Sequence, residues 1–156
     1  IWYAINLPDK IFFTLQQTAN NTATELYILI CIMNVKIDTK ERFTVITPEE
    51  AHLSVNMTDE LNQLLLGYLQ KDIPHVVLKM DAVQSVDEAM AENIAGIQQQ
   101  FYEKNCSFVI CNLSRDVEQL LDRKELLEIM NVTPSESEAW DILQMEEIER
   151  ELLGDE

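Results

Sequence analysis

Glycine is scarce in this chain, with three in 156 residues. None falls in a GxGxxG or GxxxxGKS/T pattern, so no loop of the kind that cradles phosphate is written into the sequence. HExxH and GxSxG are missing too, which removes the common zinc-hydrolase and α/β-hydrolase signatures. A receiver-type phospho-aspartate arrangement needs an acidic pair after the first strand and a lysine after the last, and neither is present. The three cysteines, Cys31, Cys106 and Cys111, contain no CxxC. That excludes a disulfide framework and a zinc site, and Cys106 and Cys111, at the start and end of an expected strand, read as reduced core or near-core thiols in a cytoplasmic setting. The two histidines, His52 and His75, have no catalytic or ligand partner at a recognisable spacing, and His75 after Pro74 reads as structural. Basic residues are few, 11 Lys and Arg against 28 Asp and Glu, for a net charge of −17. Such a surface repels nucleic acid and anionic membrane, and suits either plain solubility or a basic protein partner.

No apolar run is long enough to cross a bilayer. The longest candidate, 26–33, is far short of the roughly 20 residues required, so direct membrane insertion is not expected. Residues 1–32 differ from the rest in holding one Lys, two acids and no Met. They lack the basic start and small-residue cleavage site of a signal peptide. The reading is an N-terminal extension of upstream sequence, with initiation at Met33 and a single domain over 33–156. A leader helix or anchor is the alternative.

From Met33 the patterning is regular. Val35 and Ile37 alternate with polar residues, and 43–47 is β-branched and apolar, which predicts a hairpin. Asn56 or Thr58 is placed to cap a helix striped by Leu61, Leu64, Leu65, Tyr68 and Leu69. Residues 75–80 read as a buried strand, 81–86 as a turn, and Asp87-Glu88 as the opening of a helix. Its apolar positions Met90, Ile94, Ile97 and Phe101 follow i, i+4, i+7, i+11. Residues 107–111 complete a β-α-β unit. Ser114 is placed to cap a helix with Val117, Leu120 and Leu121 inward, and 126–130 is either a helix end or a last strand. Thr133, Pro134 and Glu136 form a capping box for a final helix. That helix is read with Ala139, Ile142, Leu143, Ile148 and Leu152 inward, and Glu146, Glu147, Glu149 and Glu151 on an acidic outer face. The whole is α/β, with a mixed, mostly parallel sheet of four to five strands and four helices.

The turn at Asp87-Glu88 is where function is expected, because strand ends and helix N-termini meet ligands in such sheets. Asp81, Asp87 and Glu88 could in principle hold a metal, but capping accounts for them without one, so neither a metal nor a cofactor is expected. Adjacent acids in a helix point about 100° apart, and no catalytic residue is assigned. An enzyme is therefore the reading least supported by these residues.

The order and wording of several segments resemble the STAS family, the sulfate-transporter and anti-sigma-factor-antagonist domain, from Met33 to about Leu143. The single-domain antagonists are similar at their Asp-Ser-Ser-Gly-Leu turn, where this chain reads Ser85-Val-Asp87-Glu88-Ala89-Met90. The segment from Ser114 to Leu121 is similar to the family's Ser-Pro-x-Val-x-x-Leu helix. Residues 126–132 match its Gly-Leu-x-x-hydrophobic segment, and 135–139 its closing helix start. The resemblance implies a non-enzymatic regulatory module that binds a protein partner, such as a GHKL-type serine kinase that is also an anti-sigma factor. It implies a role in control of transcription and a docking surface around Ser85, Asp87, Glu88, Ala89 and Met90. It also implies that the family's phosphorylated serine is replaced here by Glu88, its second serine by Ala89 and its glycine by Met90. A carboxylate carries about −1 where phosphoserine carries about −1.5 to −2, so residue 88 imitates that state only in part and cannot be switched. The alternative implied by the same resemblance is a constitutive accessory subunit of a membrane transport complex.

Overall fold

The computed structural model describes residues 33–154; the expectation about an upstream extension falls outside them. Strand β1 (Val35–Thr39) pairs antiparallel with β2 (Thr44–Pro48), as the alternation predicts. The chain then runs through β3 (His52–Leu53) and a 3₁₀ turn (Val55–Met57) into helix α1 (Thr58–Gly67). Next come β4 (Val76–Lys79), β5 (Ser85–Val86) and α2 (Glu88–Glu103). The series ends with β6 (Phe108–Cys111), α3 (Arg115–Arg123), β7 (Val132–Thr133) and α4 (Glu136–Gly154). The main sheet has five strands in the order β1-β2-β4-β6-β7, and every pair after the first is parallel. A second, two-stranded parallel sheet joins β3 to β5.

Strand alternation sorts the core into two layers. Ile46, Val76, Leu78, Phe108 and Ile110 face α1, α2 and α3, together with Leu61, Leu65, Met90, Ile94, Ile97, Phe101, Val117 and Leu121. Val45, Val77, Val109 and Cys111 face the other way, against Ala139 and Leu143 of α4, with Phe43 beside Trp140. Buried on both faces, β4 and β6 read as continuous apolar runs because a parallel central strand has no solvent side. Burial also pushes the Cys111 thiol up to about 12, so it stays protonated and inert.

Several local expectations are corrected. Neither Asn56 nor Thr58 caps α1: the 3₁₀ turn runs straight into the helix, and Thr58 Oγ1 donates to Val55 O at 2.7 Å. Residues 81–86 contain a strand, β5, two residues long and therefore invisible to periodicity. Residues 126–130 are an irregular turn, and the last strand follows them. At α4 the capping residue is Ser135, whose Oγ accepts from the Glu138 N–H at 3.3 Å, while Thr133 is paired in β7 and its hydroxyl donates to Ser135 O.

The C-terminal half of α4 is turned opposite to expectation. Glu146 faces the domain, where it accepts from Ser107 Oγ and, at 2.9 Å, from Asn131 Nδ2. Glu147 takes Arg42 at 2.7 Å, and Arg150 Nη1 donates to Ser107 Oγ at 3.1 Å. Ile148 and Leu152 are on the solvent side. Ala139, Leu143, Glu146 and Arg150 share one face at i, i+4, i+7, i+11, and Met145, Ile148 and Leu152 necessarily share the opposite one.

Candidate functional site

The site sits where β5 hands over to α2. Pairing of β3 with β5 sets His52 opposite Ser85 and Leu53 opposite Val86. The backbone closes the corner: Ser85 N–H donates to Ala51 O at 3.1 Å and Asp87 N–H to Leu53 O at 3.0 Å. His52 is thereby brought to Ser85 and Asp87, from which the sequence separates it by more than thirty residues. His52 Nδ1 is 2.6 Å from Ser85 Oγ, and His52 Nε2 is 3.0 Å from Asp87 Oδ1. A carboxylate only accepts, so Nε2 carries the proton; in the neutral ring Nδ1 then accepts from the Ser85 hydroxyl.

This corrects two readings. Asp87 holds the N-cap position of α2 with extended backbone, φ −64° and ψ 146°, but its side chain makes no capping bond to its own helix. It reaches across instead, with Oδ2 accepting the Val55 N–H at 2.7 Å. Asp87 is thus a bracket that ties the 3₁₀ turn and His52 to the head of α2. The order Ser85–His52–Asp87 also supplies the nucleophile–base contact that spacing alone did not reveal. His52 and Asp87 are 49% and 36% exposed, and their contacts join β3, β5 and α2.

Glu88 and Ala89 stand exposed on the first turn of α2. Glu88 pairs with Lys124 Nζ at 2.8 Å, and the same ammonium reaches Glu92 at 3.5 Å. The hydrogen bond from Lys124, with its charge, holds the Glu88 carboxyl below the usual carboxylate range, so it is ionised at neutral pH. Met90 is a correction to the expected docking set: it is fully buried in the layer between α2 and the sheet. Its side chain supports the surface from beneath and does not form part of it, because i+2 from an exposed Glu88 turns about 200° to the inner face.

Sequence reasoning missed His52 and Lys124. His52 joins through a two-residue strand, and Lys124 follows the C-terminus of α3, so no local pattern announces either. Asp81, by contrast, is not at this corner: it pairs with Lys79 at 3.2 Å at the end of β4. Among the described residues no group of three or more His, Cys, Asp or Glu is arranged to hold a metal. No helix among them is long and apolar enough to cross a membrane.

Comparison with known proteins gives a consistent fold. The family model for the STAS domain matches residues 34–139. No curated protein matches the sequence. Among solved structures, an anti-sigma factor antagonist from Thermotoga maritima superposes with a TM-score of 0.65 at 17% identity, covering 70% of this chain and 94% of that one. A Ser→Glu variant of RsbS from Moorella thermoacetica gives 0.60 at 20% identity, covering 71% and 95%. The mouse anion transporter Slc26a9 gives 0.61 at 16% identity, covering 83% of this chain but 26% of its own. At these identities the likenesses establish a shared fold.

Proposed function

The chain belongs to the STAS domain family, and from that premise we propose that it is a non-enzymatic, cytoplasmic protein-interaction module of the anti-sigma-factor-antagonist kind. Its docking surface is the head of α2, formed by Ser85, Asp87, Glu88 and Ala89 over buried Met90. The partner is a GHKL-type serine kinase that is also an anti-sigma factor, and the output is control of transcription. The observation that carries this reading is Glu88. It is an exposed, ionised side chain at the start of α2, where the resemblance to the antagonists implies a serine. A serine kinase transfers phosphate to a hydroxyl, which Glu88 lacks, so the surface is set in one charge state.

The test is to express the GHKL-type kinases of the source cell one at a time with the full chain and to measure complex formation and phosphate transfer from labelled ATP. A stable complex without phosphate at position 88 is expected, and Glu88→Ser should gain a phosphoserine there. If no such kinase binds, or if Glu88→Lys leaves binding intact, the reading falls.

A second reading has one observation in its favour: the Slc26a9 alignment covers more of this chain than those with the bacterial structures quoted above. In it the chain is a constitutive part of a membrane transport complex. Co-purification with a permease, insensitive to Glu88→Lys, would select it.

A further inference from the structure

Along α4 an apolar stripe has no element of the described chain against it. Met145, Ile148 and Leu152 are 62%, 55% and 70% exposed. They recur at i, i+3 and i+7, two turns in register, which sets them apart from the scattered surface hydrophobics that every protein carries. The rotation of the helix is fixed, because Glu146, Glu147 and Arg150 are held by Ser107, Asn131 and Arg42 at the opposite side. The stripe therefore cannot turn inward without breaking all of those bonds. Around it lie Glu138, Asp141, Glu149 and Glu151, and the only base of α4, Arg150, points the other way.

The geometry points to this stripe as a docking face for a basic amphipathic helix of a partner protein. Such a helix would lay apolar side chains at helical spacing against Met145, Ile148 and Leu152, and its flanking Lys or Arg against the acidic rim. Charge decides between occupants. A second copy paired about a two-fold axis would set this rim against itself, acid on acid. An anionic membrane meets the same repulsion. The stripe lies on the opposite side of the sheet from α2, so it is separate from the surface around Glu88, and one partner on each face would not clash.

The test uses the full chain and a fluorescent synthetic peptide of about 20 residues, with leucines at i, i+3 and i+7 flanked by lysines, beside a twin with glutamates for the lysines. The lysine peptide is expected to saturate the chain and the glutamate twin to stay free. Ile148→Glu, on an exposed position that does not disturb folding, is expected to weaken the lysine peptide at least about tenfold. Simple attraction between a basic peptide and an acidic protein predicts the opposite sign, since the variant adds a negative charge. Equal or tighter binding by the variant therefore overturns the proposal, as does no binding by the wild type. Sedimentation of the chain alone should show a monomer. A dimer that Ile148→Glu dissociates would assign the stripe to a second copy, and vesicle binding that the same variant abolishes would assign it to lipid; either result overturns the partner-helix assignment.

Discussion

Asp87 accepts two hydrogen bonds from outside its own helix, the Val55 N–H and His52 Nε2. Asp87→Ala leaves a backbone donor without its acceptor and frees the β3–α2 corner. The expected loss is about 1–2 kcal/mol, read from urea unfolding. His52→Ala, which leaves the Val55 bond in place, should cost less. A loss of equal size in both would mean that the histidine, and not the carboxylate, holds the corner. Two helix ends show a different economy of residue choice. α2 and α3 both close with a left-handed residue, Asn105 at φ 56° and Glu125 at φ 57°. In each the following N–H returns to the helix, Cys106 to Phe101 O at 2.9 Å and Leu126 to Leu121 O at 2.8 Å. Glycine is the residue that adopts this conformation without strain. Asn tolerates it, whereas Glu125 does not gain from it. Glu125→Gly is accordingly expected to stabilise the fold by about 1 kcal/mol, seen as a higher unfolding midpoint at unchanged m-value.

The same helix ends explain what the sequence made legible at the scale of elements. The apolar spacing of α2 and the β-branched runs of β4 and β6 are visible because they are buried on a fixed period, and the β4-α2-β6 unit follows from them. Helix ends are not visible when Asn or Glu stands at the glycine position. Nor are β3 and β5, which have two residues each and exist only because they pair with one another. Of the candidate site, the acids Asp87 and Glu88 were legible and their partners His52 and Lys124 were not, because both partners arrive through tertiary contact. α4 misleads for a physical reason: its acids have found hydrogen-bond partners at the sheet end, and those bonds outweigh the apolar preference of Ile148 and Leu152. The contrast is measurable. Ile97→Ala, on the buried face of α2, should cost about 2–5 kcal/mol, whereas Ile148→Ala should stay within about 0.5. The sheet end that holds α4 also carries a titrating group. His75 Nδ1 accepts the Ser107 N–H at 3.0 Å. Burial, then the Arg150 charge, lowers its pKa from the ordinary 6.5, against the opposing pull of Glu147 and Glu146. The native state therefore binds fewer protons at this ring than the unfolded chain does, and stability should fall as pH drops below about 6.5. His75→Gln keeps an acceptor for Ser107 and should flatten that slope between neutral pH and about pH 5.5; an unchanged slope would place the acid sensitivity elsewhere.

For the molecule as a whole the deciding quantity is charge. With 28 acids and 11 bases, pairing cannot neutralise the surface even if every cation were used. α4 alone carries Glu136, Glu138, Asp141, Glu146, Glu147, Glu149 and Glu151 against Arg150. Salt acts on such a protein in two opposed ways. It screens the attraction in pairs such as Lys124–Glu88 and Arg42–Glu147, which are exposed surface contacts and individually weak. It also screens the repulsion among the surplus acids, which is stronger in the folded state because the charges are held closer there than in the expanded chain. The surplus exceeds the pairs, so the second effect should win. Raising NaCl from about 20 to about 200 mM shortens the screening length from roughly 20 Å to roughly 7 Å, below the distances over which the unpaired carboxylates act on one another. The melting temperature is expected to rise by a few degrees over that range. A fall instead would mean that the Lys124, Arg42 and Lys79 pairs hold the fold more strongly than the acidic surplus opposes it. Magnesium chloride at matched ionic strength separates general screening from cation binding, since screening alone predicts the same curve for both salts.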